Sequence, residues 1–194
     1  MTIDLPKELA TAVQEGRAVL FLGAGASRGA MDDKLQPIPD GSGLAKILIK
    51  EFLGDDYDGL DLRSVYDLAC SERDVRTVQR KIFDILNPFQ PADFHLLIPT
   101  FAWAGIATTN YDLVVERACQ RAPSPLQKLV PHVKDGDGAT DQLGDRSVLN
   151  VKLHGCITRH QEVMPPLIAS TEQLIAFRNG RNSGRSWSGR RPRR

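Results

Sequence analysis

The stretch AVLFLGAGAS, residues 18 to 27, decides the fold. Ala18 to Leu22 is a short, continuous apolar run closed by Gly23 and Gly25, which predicts a strand buried on both faces rather than a helix. A glycine-bearing turn directly after such a strand is suited to phosphate. Its glycines permit φ values closed to other residues and let backbone N–H groups come close, and Ser27 adds a hydroxyl. The turn is neither a P-loop, which needs GxxxxGK[ST], nor a full GxGxxG.

Working outward, LPKELATAVQEG predicts a helix capped by Asp4, with Pro6 in its first turn, Leu5, Leu9, Ala12 and Val13 at helical spacing, and Gly16 to stop it. Pro37 and Pro39 hold a loop open, after which helical spacing returns over Gly43 to Leu53. A polar turn at Asp58 to Asp61 leads into helices at Leu62 to Ser71 and Val75 to Leu86, and a shorter one covers Ala92 to Ile98. WAGIATTN supplies a second strand, near 104 to 108, and YDLVVERACQR continues it as a helix with Leu113, Val114 and Ala118 on one face. PSPLQKLVPHV and the glycine and aspartate run after it read as connection, and SVLNVKLHG gives a third strand near 148 to 153. Apolar strands alternating with helices predict an α/β fold, a Rossmann-like parallel sheet with flanking helices.

With 41% hydrophobic and 25% charged residues among 194, the composition suits one globular domain. The longest apolar runs, such as Ala18 to Leu22 and Leu96 to Ile98, fall far short of the ~20 residues that span a bilayer. The first residues lack the basic-then-apolar order of a signal peptide, so a soluble cytoplasmic protein without membrane contact is expected. Cys70, Cys119 and Cys156 are isolated, with no CxxC spacing, which argues against a disulfide framework and a thiolate zinc site; all three read as small buried apolar residues.

The formal charge of +1 conceals an asymmetry, because seven arginines fall after residue 177 without a single acid. Residues 1 to 177 keep 18 basic residues against 24 acidic ones, about −6, and show no nucleic-acid-binding face. Residues 178 to 194, RNGRNSGRSWSGRRPRR, have no periodicity and are expected to be a disordered basic Arg/Gly/Ser tail, either a natural basic arm or out-of-frame translation after a truncation.

Two further segments carry chemistry. TTNYD, Thr108 to Asp112, follows the second strand, at the sheet end where open α/β folds bind ligands. Its Asn110 has an acceptor and a donor with which to hold a water or a ribose hydroxyl. LHG, Leu153 to Gly155, ends the third strand and leaves the ring of His154 open to a ligand. His95, inside FHLLIPTF, reads as a satisfied core or helix histidine, and His132 and His160 as residues of polar loops.

In the order GAGAS, TTNYD, LHG the chain resembles the SIR2 superfamily, and the resemblance covers roughly residues 10 to 177. It implies that Gly23, Ala24, Gly25 and Ser27 cradle the pyrophosphate of NAD+, and that Asn110 and His154 act as the catalytic pair around the nicotinamide ribose. It also implies that Thr108 and Asp112 belong to the NAD+ site, Asp112 on the nicotinamide amide. Protein deacylases of that superfamily carry a small zinc module with two CxxC pairs, which this chain lacks, so no zinc is expected. Where they carry a GIPDFR-like segment, PIPDGSG (Pro37 to Gly43) has Gly41 in place of the aromatic, and Thr109 and Tyr111 stand where they usually have Gln and Ile.

In these respects the chain looks like the SIR2 domains of bacterial antiphage systems that destroy NAD+. Cleaving nicotinamide from ribose passes through an oxocarbenium-like centre that an oriented water can capture, with His154, of ordinary pKa about 6.5, as base. The expected activity is therefore NAD+ glycohydrolysis, in an effector that works with a sensor domain or subunit and as a homo-oligomer. Family members continue past the HG with a strand bearing a G-[TYF]-S loop, whereas IASTEQLIAFR here runs into the arginine tail, so the domain, residues 1 to 177, is expected to be partial. The alternatives are an NAD-dependent protein deacylase, or an NAD/ADP-ribose-binding fragment without turnover.

Overall fold

The computed structural model describes residues 4–133, 138–162 and 167. Four parallel strands, β1 (Val19–Leu22), β2 (Gly105–Thr108), β3 (Lys128–His132) and β4 (Ser147–Lys152), form one sheet in the order β1-β2-β4-β3. Around it lie α1 (Lys7–Gln14), α2 (Gly41–Phe52), α3 (Leu62–Glu72), α4 (Val75–Leu86) and α5 (Val114–Arg121). The chain is thus an α/β protein with a Rossmann-like parallel sheet. The expected basic tail, from residue 178, lies outside the described residues. Among the described residues no helix is long and apolar enough to cross a membrane.

Register makes one face of the sheet. Leu20, Ile106 and Asn150 form one row across β1, β2 and β4, and Leu22, Thr108 and Lys152 the next. Because alternate residues of a strand share a face, these rows lie together under α5, whose Glu116 bonds both Asn150 and Lys152. The other face of β1 is open. Val19 is 64% and Phe21 63% exposed, so the expected burial of this strand on both faces is incorrect. β1 ends the row of described strands, and such a position cannot be read from an apolar run alone.

Helices α2, α3 and α4, inserted between β1 and β2, bring together the largest buried cluster: Leu44 and Leu48, Val65 and Tyr66, Val78 and Ile82, joined by Ile157. Each helix starts on an aspartate whose carboxylate accepts an N–H of the first turn, Asp40 from Gly43, Asp61 from Ser64 and Asp74 from Thr77. α2 accordingly begins at Gly41, two residues before its sequence-based start. Pro6, not Asp4, occupies the N-cap of α1, with no side-chain cap bond.

Other expectations are corrected as well. The segment read as connection, PSPLQKLVPHV, contains β3, which pairs with β4 along its whole length. The short helix expected at Ala92 to Ile98 is a 3-10 helix over Asp93–Thr100. His132 lies in β3, and His160 is buried with its ring 4.2 Å from that of Phe83, so neither is a polar-loop residue. Of the cysteines, Cys156 is buried while Cys70 and Cys119 are half-buried; all are free thiols, and burial pushes those of Cys70 and Cys119 up to about 11.

Candidate functional site

β1, β2 and β4 run parallel and adjacent, so their carboxyl ends, each followed by one of the three motifs, come out side by side. There a cleft of about 230 Å³ opens between the sheet and the inserted helices. Ala24, Ser27, Asn110, Asp112 and His154 line it, with Tyr111 and Leu62 among their neighbours. Three residue pairs at this cleft, Asn110 with Gly23, Asn110 with Ser27 and Ser27 with Asp112, lie far apart in sequence, and hydrogen bonds across that distance hold it together.

Asn110 Nδ2 donates to Gly23 O at 3.0 Å and to Ser27 Oγ at 2.8 Å. Both amide hydrogens are then spent on the GAGAS turn. The side-chain carbonyl Oδ1, with no partner among the described residues, is the atom left for a ligand, so Asn110 meets the cleft as an acceptor. Thr108, buried and outside the lining, fixes this geometry by accepting from Asn110 N at 3.0 Å. Ser27 in turn donates its hydroxyl hydrogen to Asp112 Oδ2 at 2.7 Å, and Asp112 Oδ1 accepts from Val114 N at the start of α5. The hydroxyl of Ser27 therefore has its hydrogen committed within the protein, and both carboxylate oxygens of Asp112 already hold a donor.

Gly23 and Gly25 are small for another reason than their dihedral angles. Gly23 has φ −110° and Gly25 also stays out of the left-handed region, which corrects the argument from special φ values. A Cβ added at either position would meet nothing within 4 Å. The protein itself does not need these glycines, and the open space above them is what a closely approaching ligand would fill. Gly25 stands between two lining residues without being one itself. The floor of the turn is held by His95, as sequence reasoning could not show. Its Nδ1 accepts from Ala92 N at 2.9 Å, which leaves Nε2 as donor to Ala26 O at 2.8 Å, and it is buried.

His154 is half-buried, its ring 6.5 Å from that of Tyr111, and neither ring nitrogen has a partner among the described residues. Burial, then the Arg63 guanidinium, hold its pKa below the usual 6.5, so the neutral imidazole dominates at neutral pH. Sequence reasoning passed over Arg63 and also Arg28, an exposed cation beside Ser27 that lines the cleft. Position directly after GAGAS was the available signal for Arg28. No signal marked Arg63, which reaches His154 only through the fold. Among the described residues no group of three or more His, Cys, Asp or Glu side chains has a metal-binding arrangement.

No curated protein matches the chain. Residues 104–183 match the family model of the SIR2-like domain, a span that begins at β2 and contains both TTNYD and LHG. GAGAS lies before that span, and hydrogen bonds from Asn110 join it to the matched part. The match supports a place in the SIR2 superfamily and with it an NAD-related function.

Proposed function

We propose that this domain is an NAD+ glycohydrolase that releases nicotinamide. The observation that carries the reading is the meeting, in one cleft, of an Asn110 left only its acceptor and a His154 biased to the neutral state, its ring nitrogens without a partner among the described residues. The dinucleotide would lie with its pyrophosphate against the open space over Gly23 and Gly25, near Arg28. At about 230 Å³ the cleft is smaller than the ~300–1,000 Å³ usual for small-molecule sites, and it suits the nicotinamide riboside end of the molecule.

In the reaction the bond from ribose C1′ to the nicotinamide nitrogen breaks, its electron pair leaves with the nicotinamide, and an oxocarbenium-like centre develops at C1′. Water adds to C1′ and gives up a proton, forming ADP-ribose. Asn110 Oδ1 accepts a hydrogen from that water or from a ribose hydroxyl and so orients it; His154, neutral, takes the proton. Ser27 and Asp112 position Asn110 rather than react. NAD+ depletion by such an effector, joined to a sensor domain or subunit and assembled as a homo-oligomer, would serve in antiphage defence.

Nicotinamide release from NAD+ is the test, with Asn110→Ala and His154→Ala each expected to cost ~10²- to 10⁴-fold in rate. Gly25→Ala should leave the fold intact, since nothing surrounds its new Cβ, yet weaken NAD+ binding. Binding of NAD+ by the folded protein without turnover would sink the hydrolase reading in favour of a binding module. Lysine deacylation without hydrolysis of NAD+ would replace it by a deacylase.

A further inference from the structure

The most buried ionic group among the described residues stands behind the cleft and takes no part in the chemistry just described. Lys152, 1% exposed, donates from Nζ to the backbone oxygen of Asp112 at 2.5 Å and to Glu116 Oε1 at 2.9 Å. Asn150, fully buried, donates to the same Glu116 oxygen at 3.1 Å. Asn150 and Lys152 alternate on β4 and so share a face, while Asp112 stands two residues before α5 and Glu116 lies in its first turn. The cluster therefore joins three pieces of chain: β4, which ends two residues before His154, the segment carrying Asn110 and Asp112, and helix α5.

Stability alone does not account for it. Glu116 Oε2 and Asn150 Oδ1 are buried and accept from no described residue, and a half-satisfied buried network is less stable than apolar packing of the same volume. Departures of this kind concentrate where geometry serves function. Lysine fits the task because its ammonium is compact and carries three donors, enough to hold acceptors on two different elements at once.

The geometry points to Lys152 and Glu116 as positioning residues, a clamp that fixes the Asn110–Asp112 segment against the end of β4, from which the chain runs on to His154. From the clamp the order is transmitted by named bonds: Lys152 to the Asp112 backbone, Ser27 to the Asp112 carboxylate, Asn110 to Ser27. Neither residue lines the cleft. The catalytic part of this inference rests on the NAD+ hydrolase reading; the ordering of residues 110 to 113 does not.

The test is the double variant Lys152→Met/Glu116→Leu, which removes both charges and leaves no lone buried ion. Two readouts are compared with the parent protein: steady-state NAD+ hydrolysis, and amide hydrogen exchange of the ligand-free protein. A clamp predicts a cooperatively folded variant whose kcat falls by ~10-fold or more while KM changes little, since a misplaced reacting group is felt in the transition state. It also predicts lost exchange protection confined to residues 110 to 113, with β1 and β2 unchanged. Parental kcat and parental exchange in the folded variant would overturn the inference. If the parent protein does not hydrolyse NAD+, the functional reading fails, and exchange at 110 to 113 still decides for or against the clamp. Should the double variant not fold, Glu116→Gln, equal in shape, carries the same comparison: increased exchange at 110 to 113 supports the clamp, and parental exchange overturns it.

Discussion

Ser27→Ala tests the hydrogen-bonded frame of the cleft at its centre. The hydroxyl is buried, gives its hydrogen to Asp112 Oδ2 and receives one from Asn110 Nδ2. Losing a bond to a carboxylate costs ~1.5–3 kcal/mol, and losing the bond from a neutral amide ~0.5–1.5 kcal/mol. Asn110 keeps Gly23 O and Asp112 keeps Val114 N, so the two costs bound the effect. A loss of about 2–4 kcal/mol is expected, against a typical domain stability of ~5–15 kcal/mol. The variant should fold at 25 °C with its Tm lowered by on the order of 10 °C. Urea denaturation of the parent, Ser27→Ala, Asp112→Ala and the double variant closes a cycle whose coupling energy should be about 1.5–3 kcal/mol. Additivity of the two single effects to within ~0.5 kcal/mol would show that the 2.7 Å contact contributes nothing and that the frame has been misjudged.

Arg63→Ala removes a positive charge acting on His154, so the imidazole pKa rises and the acidic limb of NAD+ hydrolysis moves to higher pH; a limb that stays in place refutes the Arg63 contribution. Because the folded-state pKa of His154 lies below 6.5, the unfolded chain binds more protons in the interval beneath 6.5. This group therefore lowers stability as the pH falls through that interval, and His154→Gln should flatten that part of the curve. Asp61 and Asp74 are held below the ordinary 3.8 chiefly by the Ser64 N–H and the Thr77 hydroxyl respectively, so their contributions are present above pH 3.8 and are lost as the pH falls further; circular dichroism should show Asp61→Asn less sensitive to acid there. Ile106→Ala empties a fully enclosed position in β2 and should cost ~2–5 kcal/mol by denaturation. Phe21→Lys, on the exposed face of an edge strand, should cost little stability and reduce aggregation, as measured by light scattering.

The places of the three motifs were legible in sequence because a parallel strand writes itself as an apolar run ended by small residues. GAGAS, TTNYD and LHG all follow such runs and all reach the cleft. β3 was not legible. KLVPH carries Lys128, Pro131 and His132, which a central strand would not tolerate and an edge strand does, and whether a strand lies at the edge is settled only by its neighbours. The exposure of Val19 and Phe21 was hidden for the same reason. At the site, residue types announced the candidates but not their bonding. That Asn110 spends both amide hydrogens on a turn 83 to 87 residues away, or that His160 packs on Phe83, follows from contacts no local pattern records.

The position of β4 between β2 and β3 has a consequence for the chain as it is made. β3 pairs with β4 and with no other described strand, yet it is synthesised first. From His132 to Ser147 the ribosome needs roughly one to three seconds at ~5–20 residues per second, and for that time β3 has nowhere to pair. Neither the β2–β4 nor the β3–β4 ladder can therefore form before Ser147–Lys152 has been made, and the sheet does not grow in the order of synthesis. The strand that precedes His154 by two residues is thus also the one that both its neighbours wait for, so the sheet on this side and the cleft side chain that follows it depend on the same late-made segment.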